Sequence, residues 1–151
     1  MTPTCAWLPA MRRYLAIIVT GNLAWEVAQM PLYTLWRTGS PYEIAFAVVH
    51  CTGGDVLIAG ASLVGGLLLL GVVDWPKSRF LAVGGTAIAF GLACTVYSEQ
   101  LNTARNAWTY SALMPVLPWL GTGLAPLAQW VVVPALAFRA TWSLAQRTIA
   151  P

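Results

Sequence analysis

Glu26 is the least expected residue in this sequence. It sits midway along an apolar run, residues 14–36, that is long enough to cross a bilayer. An ionisable side chain at that depth costs about 2.5–3.5 kcal/mol on insertion scales, so such residues face a bundle interior or a wet cavity and mark function. Asn22, Gln29 and Tyr33 lie three or four residues apart along the same helical wall. A second acid, Asp55, lies in the next apolar run. At about 1.5 Å per residue, Glu26 is about 18 Å from the start of its run and Asp55 about 16 Å from the start of the next. Both therefore fall near the middle of a hydrocarbon core about 30 Å thick. Two carboxyls at one depth on consecutive antiparallel helices can face each other and share a proton. That is the chemistry of a general acid or of a proton relay. The alternative is that each is merely hydrogen-bonded and idle.

Three further groups extend this polar wall. His50, the one histidine, falls about 9 Å below the same surface from which Asp55 was measured. A lone histidine cannot by itself build a metal or haem site. Structural hydrogen bonding and a proton or ligand contact are its main readings, and a metal site with Asp55 or Glu99 is the remotest. His50 and Asp55 are roughly 140° apart on an ideal helix and share a wall only if Gly53 and Gly54 distort it. Thr95, Ser98, Glu99 and Asn102 share a face at the end of the third apolar run, and the following loop carries Arg105, Asn106, Trp108 and Tyr110. That loop is placed to cover the mouth of the bundle, although Glu99 could instead pair with Arg105. Gln129 is the polar residue of the last helix. No cofactor and no metal are expected: Cys5, Cys51 and Cys94 are isolated, without metal-ligand spacing or a disulfide framework.

The elements that must position these groups are membrane helices. Of 151 residues, 58% are hydrophobic and only 9% charged, against about 25% charged in soluble domains. The expected fold is all-α: one integral membrane domain over residues 1–151, a polytopic bundle of four transmembrane helices. The spans are about 14–36, 44–73, 80–102 and 124–144, with a Pro- and Gly-broken stretch at 114–123 that is either re-entrant or joined to the fourth span. The second span must tilt or kink. Pro126 suits a first helical turn, and Pro134 would kink the interior. Arg12 and Arg13 before an apolar run resemble a signal peptide, but no convincing cleavage site follows, so the run reads as an uncleaved first helix. Arg12, Arg13, Lys77, Arg79, Arg139 and Arg147 fall on one side and only Arg37 and Arg105 on the other. The positive-inside rule then places both termini in the cytoplasm.

Trp7, Trp75, Trp119 and Trp142 lie at expected boundaries, as interfacial anchors do. Gly60, Gly65, Gly66, Gly84, Gly85 and Gly91 read as close helix packing. The polar groups run from the midplane outward, while the cytoplasmic halves are apolar. This arrangement favours an outward-facing pocket over a continuous pore. The net charge of +3 is small and dispersed, which argues against nucleic acid as a partner.

The string Asn22-Leu23-Ala24-Trp25-Glu26 resembles a helix of the Pyr4-type transmembrane terpene cyclases. It implies that Glu26 could protonate an alkene or epoxide of a prenylated substrate. Those enzymes have about seven helices and a second acid far downstream, so Asp55 has no equivalent in the motif. The segments around YSEQLN, WTY and MPVLPWLGTGLAPLAQW also resemble small bacterial four-helix membrane proteins, a likeness that carries no activity but implies a bacterial inner membrane.

The first expectation is therefore an intramembrane enzyme, cyclase- or isomerase-like, acting on an isoprenoid or membrane lipid. Glu26, Asp55, His50 and Glu99 would be catalytic. Asn22, Trp25, Gln29, Tyr33, Asn102, Trp108, Tyr110 and Gln129 would contact substrate. The alternatives are a small proton-coupled transporter, which at four helices would need a homo-oligomer, and a non-catalytic ligand-binding or assembly subunit.

Overall fold

The computed structural model describes the backbone of residues 7–149 and the side chains of 7–142. Cys5 and the Arg147 side chain lie outside the described residues. Five helices are present: α1 (Trp7–Gln29), a one-turn α2 (Leu35–Thr38), α3 (Pro41–Leu69), α4 (Phe80–Ala104) and α5 (Leu124–Ile149), with a 3₁₀ turn at Met30–Leu32. No strand occurs among the described residues, only two isolated bridges. The stretches Trp7–Leu32, Pro41–Leu69, Phe80–Ala104 and Leu124–Trp142 are long and apolar enough to cross a membrane. The protein is a multi-pass membrane protein built as a four-helix bundle.

The first span ends sooner than hydropathy predicts. Pro31 has no N–H to donate and its ring conflicts with a continuing helix. The chain therefore tightens into the 3₁₀ turn and leaves it through Tyr33 in extended conformation (φ −110°, ψ 148°). Helix α3 starts with a capping box: Ser40 Oγ accepts from Glu43 N at 3.3 Å, and Ser40 N donates to Glu43 Oε2 at 2.8 Å. It then runs unbroken through Gly53 and Gly54, so that pair does not loosen it. Residues 112–123 form neither a re-entrant helix nor part of α5. They are irregular, folded on Leu117 N→Thr122 O (3.0 Å) and Leu124 N→Pro115 O (2.8 Å). Pro126 falls in the first turn of α5 and Pro134 in its interior.

The four long helices close a ring in which α1 packs on α3 and α5, and α4 packs on α3 and α5. Helix α1 buries Ala10, Tyr14, Ile18, Asn22, Glu26 and Gln29, a stripe at steps of four and then three. Its first half meets an aromatic plug. Tyr14 lies 5.0 Å from Phe138, Phe80 lies 5.7 Å from Phe138 and 4.8 Å from Trp142, and Trp75 stacks on Phe80 at 6.3 Å. Trp75 is only 4% exposed, so it is a core residue and not an interfacial anchor. Trp7, Trp119 and Trp142 remain exposed. The second half of α1 is the polar wall. Outward faces carry Val27, Leu57, Leu68, Leu81 and Leu136, as lipid contact requires.

The glycines divide by what lies beside them. A Cβ at Gly91 would fall 2.0 Å from the Trp130 ring, and at Gly84 or Gly66 it would touch Phe138 or Val83 and Thr86 at about van der Waals distance; at Gly53, Gly54, Gly60, Gly65 and Gly85 it would meet nothing. Close packing thus describes the first group only. Gly91→Ala should destabilise the bundle by about 1–3 kcal/mol, the range for overpacking. Gly60→Ala should leave it within about 0.5 kcal/mol. Thermal unfolding of both variants in detergent checks the pair, and equal melting temperatures would contradict the packing.

Candidate functional site: a carboxyl-lined cavity

Gln129, 2% exposed, is the centre of the site. Its Nε2 lies 2.9 Å from Asn22 Oδ1, 3.1 Å from Glu26 Oε1 and 2.8 Å from Asp55 Oδ2. Gln29 Nε2 donates to Glu26 Oε1 at 2.8 Å and to Gln129 Oε1 at 3.2 Å. Asn22 Nδ2 closes back on Ile18 O at 2.9 Å. The two glutamine amides offer four hydrogens to these five contacts, so at least one hydrogen is shared between acceptors. The cluster ties together the last two turns of α1, the middle of α3 and the first two turns of α5, so Glu26 lies near the end of its helix and not midway along it. Because Glu26 and Asp55 oxygens reach the same nitrogen, they lie no more than about 6 Å apart, well inside the range of strong Coulomb coupling. The carboxyls also come within hydrogen-bonding reach of each other, and the Trp130 indole reaches Asp55. Ionised carboxylates only accept hydrogen bonds, so a bond between these two requires a proton.

Glu99 holds the fourth wall. It does not pair with Arg105, which is exposed where the chain leaves α4. Glu99 points inward and accepts from Tyr110 Oη. The Trp108 indole faces the same carboxyl, though its Nε1 makes no strict hydrogen bond. Tyr110 is held by the loop after α4, which docks on the end of α1. Thr34 N donates to Thr109 O at 3.0 Å and Ser111 N to Leu32 O at 2.8 Å, and Tyr33 packs on Tyr110 at 5.6 Å. Gly123 N donates to Tyr110 Oη at 3.1 Å. Burial, together with the bond to Glu99, pushes the Tyr110 phenol above its ordinary range. Burial, with Glu99 next, pushes Tyr33 up as well.

These walls enclose a cavity of about 240 Å³ at the end of the bundle opposite the aromatic plug. Glu26, Asp55, Glu99, His50, Gln29, Tyr33, Asn102, Trp108 and Gln129 all line it, so most of the sequence-picked residues meet in one place. His50 borders it without any break in α3 and stacks on Phe46 at 5.5 Å. Asn22 and Tyr110 act from behind, through Gln129 and Glu99. Trp25 is the exception: it packs beside the apolar core and does not line the cavity. Asn102 Nδ2 donates to Ser98 O at 2.8 Å. No Lys or Arg is among the lining residues. Among the described residues no His, Cys, Asp and Glu group could hold a metal ion.

Sequence reasoning passed over Trp130 and Cys51, both in the wall. Trp130 was legible only through Gly91, whose missing side chain makes room for it. Two buried polar atoms of lining residues lack partners: Gln29 Oε1 and Thr95 Oγ1, on residues 5% and 6% exposed.

No protein-family model and no solved structure matches this chain. It is 29% identical over 102 residues to GDP-mannose transporter 2 of Emericella nidulans, a match covering 68% of this chain. The chain spans only 28% of that transporter's length.

Gln129→Leu removes the amide while keeping its bulk. It should cost about 3–5 kcal/mol, as when one partner of a buried charged cluster is deleted, whereas the exposed Gln100→Leu should cost little. Chemical unfolding in detergent checks this, and equal stabilities would contradict a central role for Gln129. The raised tyrosines give a signed pH effect. Their contribution is intact below the ordinary tyrosine value of about 10 and is lost as pH rises beyond it. Tyr110→Phe should therefore flatten the fall in melting temperature above about pH 10, and an unchanged slope would contradict the burial of its hydroxyl.

Proposed function

We propose that this protein is a small membrane carrier in which a solute occupies the cavity and exchanges with a proton held by Glu26 and Asp55. The observation that carries this reading is the acid pair, bridged by Gln129, opening into a cavity sealed beyond by the Tyr14, Phe80 and Phe138 plug. Intramembrane acids facing a cavity are the usual parts of proton relays. The similarity to a transporter supports the same class. A nucleotide sugar is not the proposed cargo: a diphosphate calls for cationic or N-terminal helix partners, and this wall has three carboxyls and no Lys or Arg.

The titratable groups around the pair are Tyr33 near the end of α1, His50 and Cys51 on α3 and Glu99 on α4; α5 offers Gln129 and Trp130. Alternating access needs a second face able to open, so we propose a homo-oligomer, with the basic ends of α1 and α5 cytoplasmic in a bacterial inner membrane.

The juxtaposed acids and the Trp130 and Trp108 rings also favour a second reading, acid catalysis on an isoprenoid or lipid with Glu26 as proton donor. Full turnover of a prenylated or epoxidised lipid by Glu26→Gln would remove that reading.

The carrier is tested by flux into proteoliposomes of labelled cationic, neutral and anionic solutes against a pH gradient. At least one solute should enter faster than into empty liposomes, and Asp55→Asn should slow it at least tenfold. No flux, or flux untouched by Asp55→Asn, would contradict the proposal.

A further inference from the structure

We infer that the cavity binds a small organic cation bearing N–H donors, a primary or secondary ammonium. This inference rests on the carrier reading for its purpose and on the cavity alone for its chemistry. Three carboxyls, on α1, α3 and α4, share one cavity with no Lys or Arg in its wall. Carboxylates out of water need protons, hydrogen bonds or a partner cation, and the only basic group in this wall is the His50 imidazole. Glu26 and Asp55 can divide one proton in the empty site, and Glu99 has the Tyr110 hydroxyl; a ligand cation takes the place of that shared proton.

The hydrogen-bond acceptors of the wall fix what kind of cation. Gln29 Oε1 can only accept a hydrogen bond, and the orientation of its amide is set by what Nε2 donates to. That oxygen belongs to a residue of the cavity wall but has no surface open to the cavity, and it has no partner. Thr95 Oγ1, across the cavity on α4, is equally buried and unpartnered. A polar atom left in this condition costs about as much as a lost hydrogen bond. Ionised carboxylates only accept hydrogen bonds, so three of them in one wall ask for a ligand that donates hydrogen bonds and carries positive charge. A quaternary ammonium supplies the charge without the donors, and a neutral alcohol supplies a donor without the charge. Neither meets both demands. The rings of Tyr33, Trp108 and Trp130 in the wall offer π faces to the same charge. A metal ion is a poor fit, because no ligand group for one assembles among the described residues. The cavity, at about 240 Å³, lies below the roughly 300–1,000 Å³ usual for drug-sized ligands, so the cation is small.

The test uses the full-length protein in detergent and follows tryptophan fluorescence, since Trp108 and Trp130 line the site. The probes are n-butylammonium, tetramethylammonium and 1-butanol, matched in heavy-atom count. n-Butylammonium should bind at least tenfold tighter than either of the others. Glu99→Gln should weaken it at least tenfold, while the exposed Thr20→Val leaves it unchanged. Equal binding of tetramethylammonium would overturn the donor requirement, and equal binding of 1-butanol would overturn the charge requirement. Absence of saturable binding by a protein whose circular dichroism is intact would overturn the site. If a variant fails to fold, the ranking of the three probes on the unaltered protein decides alone. Binding in the expected order with no flux in liposomes would refute the carrier and leave the cation site standing.

Discussion

A buried amide nitrogen with acceptors from two other helices around it sets the geometry of this bundle. Gln129 Nε2 reaches Asn22 and Glu26 on α1 and Asp55 on α3, all between 2.8 and 3.1 Å. In lipid the usual hydrophobic drive between helices is absent, so packing and interhelical hydrogen bonds must hold the spans together. Here one residue supplies bonds across three of the four long helices. The arrangement constrains everything near it. Gln29 must orient its amide to serve Glu26 and Gln129 together, which leaves Gln29 Oε1 buried without a partner. The two carboxyls are held within reach of each other and cannot relax apart without abandoning Gln129.

The two ends of the bundle follow different physics. At one end aromatic rings fill the space between helices: Tyr14, Phe80, Phe138, Trp142 and Trp75 interlock at centroid distances of 4.8 to 6.3 Å. Such packing excludes water and offers no polar path. At the other end the 3₁₀ turn after α1 and the loop after α4 bond to each other, and that loop positions Tyr110 on Glu99. A polar chamber thus stands behind a dry seal. This is the form expected of a one-sided binding site and not of a channel, which would need polar lining throughout.

Much of this was legible in the sequence because membrane spans obey a coarse rule. The four apolar runs and the inward Glu26 stripe follow from length and period, and Asp55 does approach Glu26, although Glu26 falls in the last turn of α1 and not midway along it. The places where sequence reading departed from the structure share one cause: local signals were outweighed by hydropathy or by tertiary packing. Pro31 stops α1, yet the apolar residues continue to Trp36 and hide the stop. Trp75 sits at a boundary, as an anchor would, but the loop folds it onto Phe80. Trp25 stands beside Glu26 in sequence and therefore points to a different side of the helix, toward the apolar core. Five glycines suited to helix contact face open space, and composition alone does not tell them from Gly91. Trp130 could not be assigned to the site, since its place depends on a gap made by a residue on another helix.

In the proposed carrier, Glu26 and Asp55 hold a proton and a bound cation displaces it. This exchange is tested most directly by adding n-butylammonium to the protein in weakly buffered detergent solution and reading proton release with an indicator dye. The account predicts release of about one proton per bound cation, as expected when an acid pair sharing one proton gives it up to a new charge partner. It further predicts that the release disappears in Asp55→Asn. Saturable cation binding with no proton released, or release that persists undiminished in Asp55→Asn, would contradict it.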